Sequence, residues 1–351
     1  MIENPLLILN QYGVAITPDE KYLYIVNNQY YGITPYDSVY VYNLINEQFV
    51  AKITHLSFKT PSTATLSGRR VYITNSNSTT ISIIDTATNK IIHVIDGFNN
   101  PYRIVVSADG KTGFVCNYGD GLSIGTVSVV NLETFAINKN IPVGFGPCNC
   151  ALSGDGKKLC VSNYISKFIS IIDTSSLIVV RTVPLNSNVG NPFNISIDFS
   201  NSDVNCYILS ITDVIDPSGP TGPTGPTEII QAYKYNTHIS IIDLSTNTLR
   251  LPYSTINSIW YGIVFPINKT LKQIYILSYN KNTSLPFIDI NQGVPELRLI
   301  QYKNDYEVEY YSTIINICPV VGNAILTYDK KFLYISAYGT KFSNLNNLVK
   351  L

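Results

Sequence analysis

Pro101-Tyr102-Arg103-Ile104-Val105-Val106-Ser107-Ala108-Asp109-Gly110-Lys111, continued by Gly113-Phe114-Val115-Cys116-Asn117, decides how this chain is read. The pattern returns as Pro147-Cys148-Asn149-Cys150-Ala151-Leu152-Ser153-Gly154-Asp155-Gly156-Lys157, then Leu159-Cys160-Val161-Ser162-Asn163. The two openings lie 46 residues apart, and a third, Pro192, follows 45 residues later. A period of that size matches one four-stranded unit of a radial β-repeat protein.

Each unit divides into four short β-branched and aromatic runs separated by turn residues, the pattern of strands, and no helical period competes with it. Strand a is apolar and ends in Asp-Gly or an equivalent turn, where Gly supplies the φ > 0 position. Strand b follows, as in Tyr22-Leu23-Tyr24-Ile25-Val26-Asn27 and Val71-Tyr72-Ile73-Thr74-Asn75. Strand c recurs as Ile-Ser-Ile-Ile-Asp at 81–85, 169–173 and 239–243, and a polar turn such as Thr86-Ala87-Thr88-Asn89 leads to strand d at Lys90–Ile95.

Units begin near Gly13, Pro61, Pro101, Pro147, Pro192, Trp260 and Gly322. The seventh supplies strands a to c only, the last of them Asn347–Leu351, while Asn4–Asn10 precedes the first strand a, where every other unit has a strand d. The expected fold is therefore all-β: one seven-bladed β-propeller of four-stranded antiparallel blades, with the N-terminal strand completing the last blade. Blades fall near 11–58, 59–97, 98–144, 145–188, 189–256, 257–312 and 313–351 plus 4–10, and an inserted loop covers 212–236. Closing the ring in this way leaves no mismatched edge.

Tyr-Ile-Val-Asn (24–27), Tyr-Ile-Thr-Asn (72–75), Phe-Val-Cys-Asn (114–117) and Cys-Val-Ser-Asn (160–163), with Asp-Thr-Ala-Thr-Asn-Lys (85–90), resemble the YVTN repeats of surface-layer-type β-propellers. The resemblance covers nearly the whole chain, but Ser210, Ser278 and Ala337 stand where units 5–7 should carry Asn. It implies the propeller fold and says little of activity, because the family spans surface proteins and some lactonase-like enzymes.

Composition narrows the partners. Lys+Arg and Asp+Glu both number 24, so no net field steers the chain to nucleic acid. No run approaches the roughly 20 apolar residues that cross a bilayer, and the N-terminus lacks a signal-peptide pattern, so no membrane insertion is expected. Cys148-Asn149-Cys150 is the one close cysteine pair, and His55, His93 and His238 are scattered, so neither a metal site nor a cofactor is expected. The cysteines read as small buried hydrophobes.

The departures from the repeat point to a working face. Unit 1 inserts 29–37, unit 3 inserts 119–125 and unit 5 inserts 212–236, all between strands b and c. In an up-and-down blade the b–c and d–a connections share one rim, and long loops in compact domains carry function. Tyr118, Tyr164, Tyr279 and Tyr338 follow strand b on that rim, and Arg103, Asn149 and Asn194, with Thr63, stand two residues past the unit-opening Pro. Trp260 holds the matching place in unit 6. Tyr and Asn beside an Arg suit a sugar- or peptide-binding platform, although repeated Tyr also packs between blades. Asp85, Asp173 and Asp243 open the c–d turns on the other rim and read as caps.

No nucleophile–base set or phosphate-binding loop can be assembled. The expectation is a non-enzymatic binding or display scaffold, with a lactonase-like hydrolase at the channel mouth and an intracellular interaction platform as alternatives. Its partners would be protein or glycan on a surface, or further copies of itself. The triplets Gly219-Pro220-Thr221-Gly222-Pro223-Thr224-Gly225-Pro226-Thr227 read as a semi-rigid polyproline II spacer about 28 Å long. They also resemble the collagen-like triplets of spore exosporium proteins, which places the chain on a cell, spore or particle surface, with the cytoplasm as the alternative.

Overall fold

The structure, a computed structural model, describes residues 11–27, 37–46, 48–185, 190–197, 205–215, 233–256, 264–268, 273–280, 294–304, 307–316, 320–326 and 333–338. These residues form six four-stranded antiparallel sheets and one two-stranded sheet, each ordered a, b, c, d as the chain runs. The first four blades show how closely sequence and strands agree. Strand a covers Gln11–Ile16, Pro61–Ser67, Pro101–Val106 and Pro147–Leu152; strand b covers Tyr22–Asn27, Arg70–Asn75, Thr112–Asn117 and Lys158–Asn163. Strand c covers Ser38–Asn43, Ile81–Asp85, Ile124–Asn131 and Phe168–Asp173, and strand d covers Gln48–Thr54, Lys90–Ile95, Ala136–Phe145 and Ile178–Pro184.

The strands a of blades 1 to 6 are neighbours in succession, and strand a of blade 7 (Val320–Leu326) packs back against Gln11–Ile16, so the first and last described blades meet. Residues 4–10 and 347–351, expected to complete blade 7, lie outside the described residues. In blade 5 the connection read as a loop over 212–236 is partly strand: Thr212 to Ile215 pair in register with Asn236 to Tyr233. The Gly-Pro-Thr triplets also lie outside the described residues.

The core sits between blades. Ala15, Tyr24, Val26, Val39 and Val41 of blade 1 pack on Ala64, Val71, Ile73 and Ile84 of blade 2. Tyr72, Ile81 and Ile83, from the opposite face of blade 2, pack on Ile104, Val115 and Val130 of blade 3. Strand b is covered on both faces, so its sequence is apolar throughout and not alternating. Each fully buried Ile or Leu contributes about 1.5–3 kcal/mol. Strand d is the outer edge, and Ile92, Ile178 and Val180 lie exposed there.

The repeated Asn and Ser tie strand b to strand c. Asn75 Nδ2 donates to Ser82 Oγ (3.1 Å), Asn117 Nδ2 to Ser128 Oγ (2.7 Å) and Asn163 Nδ2 to Ser170 Oγ (3.0 Å), all buried. The repeated Asp residues cap turns: Asp85 Oδ1 accepts from Ala87 N–H at 2.6 Å, and Asp173 Oδ1 from Ser176 N–H at 2.8 Å. Hydrogen bonds with Ser175 and Ser176 pull the Asp173 carboxyl down to about 2.

Candidate functional site

Backbone hydrogen bonds assign the two rims. Tyr118 N–H donates to Asn100 O at 3.0 Å and Tyr164 N–H to Gly146 O at 2.9 Å, which binds each b–c connection to the d–a connection beside it. On the opposite rim Thr174 N–H donates to Lys157 O at 3.0 Å, joining the c–d and a–b turns. The 119–125 connection therefore shares a rim with Tyr118 and Tyr164.

Strand a enters from that rim through a β-bulge, after which Thr63 pairs with Thr74, Arg103 with Cys116, Asn149 with Ser162 and Asn194 with Leu209. A bulge re-aims the residue that follows it, and these four hold one register on four consecutive blades. Thr63 Oγ1 is engaged with Thr74 Oγ1 at 2.9 Å. Asn149 Oδ1 and Arg103 Nε are both out of solvent and have no hydrogen-bond partner among the described residues. Arg103 as a residue keeps part of its surface in solvent, yet burial still depresses its pKa, partly offset by the Cys150 and Cys116 thiols beside it. It is the only charged residue in the seven described inner strands.

Above this register lies an aromatic and aliphatic surface. The Tyr102 and Tyr118 rings are 5.8 Å apart at 36°. A Cβ at Gly146 would stand 3.1 Å from Tyr118 Cε2 and 3.0 Å from Ile165 Cγ1, so the glycine lets both side chains lie on the backbone. Burial raises the Tyr118 pKa, with Cys148 and Tyr164 close enough to add to it. Leu122 is 86% exposed and Ile124 60%, and Tyr102, Phe145 and Ile165 are exposed with them. Asp120 holds the loop under Leu122, accepting from Leu122 N–H at 2.9 Å and Ser123 N–H at 2.8 Å.

Of the residues expected to form the site, Arg103, Asn149, Tyr118 and Tyr164 come together over blades 3 and 4. Asn194 continues the register into blade 5. Tyr279 and Tyr338 lie within strand b, opposite Pro295 and Val320, and do not follow it as expected, because strand b of blades 6 and 7 runs one or two residues further. Trp260 lies outside the described residues. Sequence reasoning missed Leu122, Ile124, Phe145 and Ile165. The only signal was apolar residues in the two b–c connections and at their flanking strand ends.

Five cysteines, Cys116, Cys148, Cys150, Cys160 and Cys206, are free and buried. Burial raises the Cys116 thiol and takes Cys148 to about 12, so neither carries thiolate at neutral pH. Ellman's reagent at pH 8 is expected to gain at least these five of the chain's six thiols on going from native protein to denaturant; rapid native labelling of these five positions would show an open blade interface. Among the described residues no group of three or more His, Cys, Asp or Glu is placed to hold a metal ion.

No protein-family model matches the chain, and no curated protein matches it. Solved structures do. Kuenenia stuttgartiensis hydrazine synthase matches with a TM-score of 0.60 and 21% identity over 82% of this chain and 77% of that one. Dihydro-heme d1 dehydrogenase NirN, in complex with DHE, matches with a TM-score of 0.60 and 15% identity over 93% of this chain. The alignment spans only 62% of the NirN chain. At these identities the likeness shows the fold, an all-β propeller. It also corrects the expectation of a non-enzymatic chain: both matched structures are enzymes by name, so the shared frame is one that enzymes use. The missing nucleophile–base motif was a poor guide, because a propeller gathers its mouth from residues about 45 positions apart.

Proposed function

We propose that this propeller binds a polypeptide on the b–c rim over blades 3 and 4. The observation that carries the reading is the joined surface of Tyr102, Leu122, Ile124, Phe145 and Ile165 against the Tyr118 and Tyr164 pair. Exposed apolar surface of this kind, set beside polar groups, marks interaction sites. The three most exposed of these side chains, Leu122, Ile124 and Ile165, are aliphatic, which favours a peptide over a sugar. The YVTN resemblance and the Gly-Pro-Thr triplets support placing this face on a cell, spore or particle surface.

Selecting twelve-residue peptides from a random library against the full chain tests the reading. Enriched peptides are expected to lose about tenfold or more in affinity when Leu122 and Ile165 are both changed to Asp. Equal binding to that variant overturns the platform. Fractionation of spores, particles and cytosol tests the location, and recovery wholly from cytosol defeats it.

The enzyme names of the matched structures favour a second reading, in which the same mouth acts chemically on its ligand. Arg103 would then be the charged group facing the reacting centre, as a lactonase-like reaction at a channel mouth requires.

A further inference from the structure

A guanidinium partly shielded from water favours an anion beside it, since a buried charge is costly unless it is paired and hydrogen-bonded. Arg103 Nε is out of solvent, and among the described residues no anion stands against it. The four ion pairs among the described residues join Lys21 to Asp19, Arg69 to Asp85, Lys111 to Glu133 and Lys157 to Asp155, none of them on an inner strand. No described residue accepts a hydrogen bond from Arg103, whose neighbours include the Cys150 and Cys116 thiols. On the next blade, at the same register, Asn149 Oδ1 is also out of solvent and has no hydrogen-bond partner among the described residues. Two adjacent polar side chains, on the one described inner strand that carries a charge and the one beside it, are thus left unsatisfied by the described residues.

We propose that Arg103 and Asn149 form a carboxylate-binding site at the channel mouth, anchoring an acidic group of the polypeptide held on the rim above. The guanidinium offers parallel N–H groups that match the two oxygens of a carboxylate, and the Asn149 amide supplies a further donor. Lys in place of Arg would keep the charge and lose that two-point geometry. The inference rests on the rim over blades 3 and 4 being the binding face. Phosphate shares the chemistry, and the test separates the two.

Thermal unfolding of the full chain, followed at constant ionic strength with chloride replaced stepwise by acetate or by inorganic phosphate, reads the site directly. Acetate is expected to raise the Tm saturably by about 2 °C, as binding to the native state alone requires. Arg103→Met should abolish that rise, and in chloride its Tm should equal or exceed that of the wild type because an unpaired charge has gone. Arg103→Lys should keep only part of the response. With a selected acidic peptide, Arg103→Met should weaken binding about tenfold or more, and should leave unchanged the affinity for the same peptide with Gln and Asn replacing its acids. An acetate response equal to that of chloride overturns the site, as does a response to phosphate alone or one retained by Arg103→Met. Peptides that bind the rim without regard to Arg103→Met would remove the carboxylate site and leave the platform. Acetate stabilisation with no peptide selected would support the site and remove the platform.

Discussion

Replacing Asn163 by Leu is expected to destabilise this protein by about 4 kcal/mol, read as a fall in the urea midpoint with little change in slope. Asn163 is wholly buried at the end of strand b in blade 4. Its Nδ2 donates to Ser170 Oγ at 3.0 Å and Phe168 O at 3.2 Å, and its Oδ1 accepts from Gly144 N–H at 2.9 Å. One amide thus ties strands b and c of blade 4 to strand d of blade 3. Leu removes the amide and leaves the Gly144 N–H and Ser170 hydroxyl without it in the core, each costing about 1–3 kcal/mol. Blade 5 supplies the control. There the repeat Asn is replaced by Ser210, whose buried hydroxyl has no partner among the described residues. Ser210→Ala removes no hydrogen bond and should change the midpoint little. Similar losses at both sites would mean that the repeat Asn acts by size and not through its hydrogen bonds.

Gly13→Ala is expected to cost about 3 kcal/mol or more and to deplete the soluble fraction. Gly13 lies on strand a of blade 1, where its missing side chain lets the next inner strand come close. A Cβ there would meet Ala64 N at 2.5 Å and Thr63 Cα at 2.6 Å. Both are backbone atoms of the neighbouring blade, so no side-chain rotation can relieve the overlap. In a closed ring the displacement passes to every other interface, including the contact between blade 1 and blade 7. Gly68→Ala is the comparison. That glycine has φ +58° and nothing within 4 Å of a built Cβ, so Ala should cost only about 1–2 kcal/mol of left-handed strain. A Gly13→Ala protein with an unchanged urea midpoint would show that blades 1 and 2 stand further apart.

Much of this was legible along the chain. Ile-Ser-Ile-Ile-Asp and the residues before each Asn gave the strands within a residue or two, because strand formation and turn chemistry depend on near neighbours. The placing of Tyr118 and Tyr164 just past strand b was legible for the same reason, since b–c and d–a connections in an up-and-down blade have only one side on which to meet, whereas Tyr279 and Tyr338 fall inside their strands. Other sequence signals misled. The stretch 212–236 reads as a loop because its residues are mixed in character, yet 212–215 and 233–236 are held as strand by pairing with each other. A missing catalytic motif suggested a chain without chemistry, although the frame is shared with enzymes.

By itself the sequence determined the repeat: the strand order, the Asn and Ser that lock b to c in blades 2 to 4, the Asp that caps the c–d turns of blades 2, 4 and 5, and the phase of the blades around the ring. Those features answer to residues a few positions away, and the repeat states them several times over. Only the tertiary structure decided which copies are satisfied. Thr63, Arg103 and Asn149 occupy one register, but Thr63 finds a hydroxyl on Thr74 while Arg103 and Asn149 find no partner among the described residues. Leu122 and Ile165 look like any other apolar residues until the fold sets both on the exposed rim beside Tyr118. Whether a polar group is paired, or an apolar one covered, depends on the neighbouring blade, some 45 residues distant along the chain, and no local pattern carries that information.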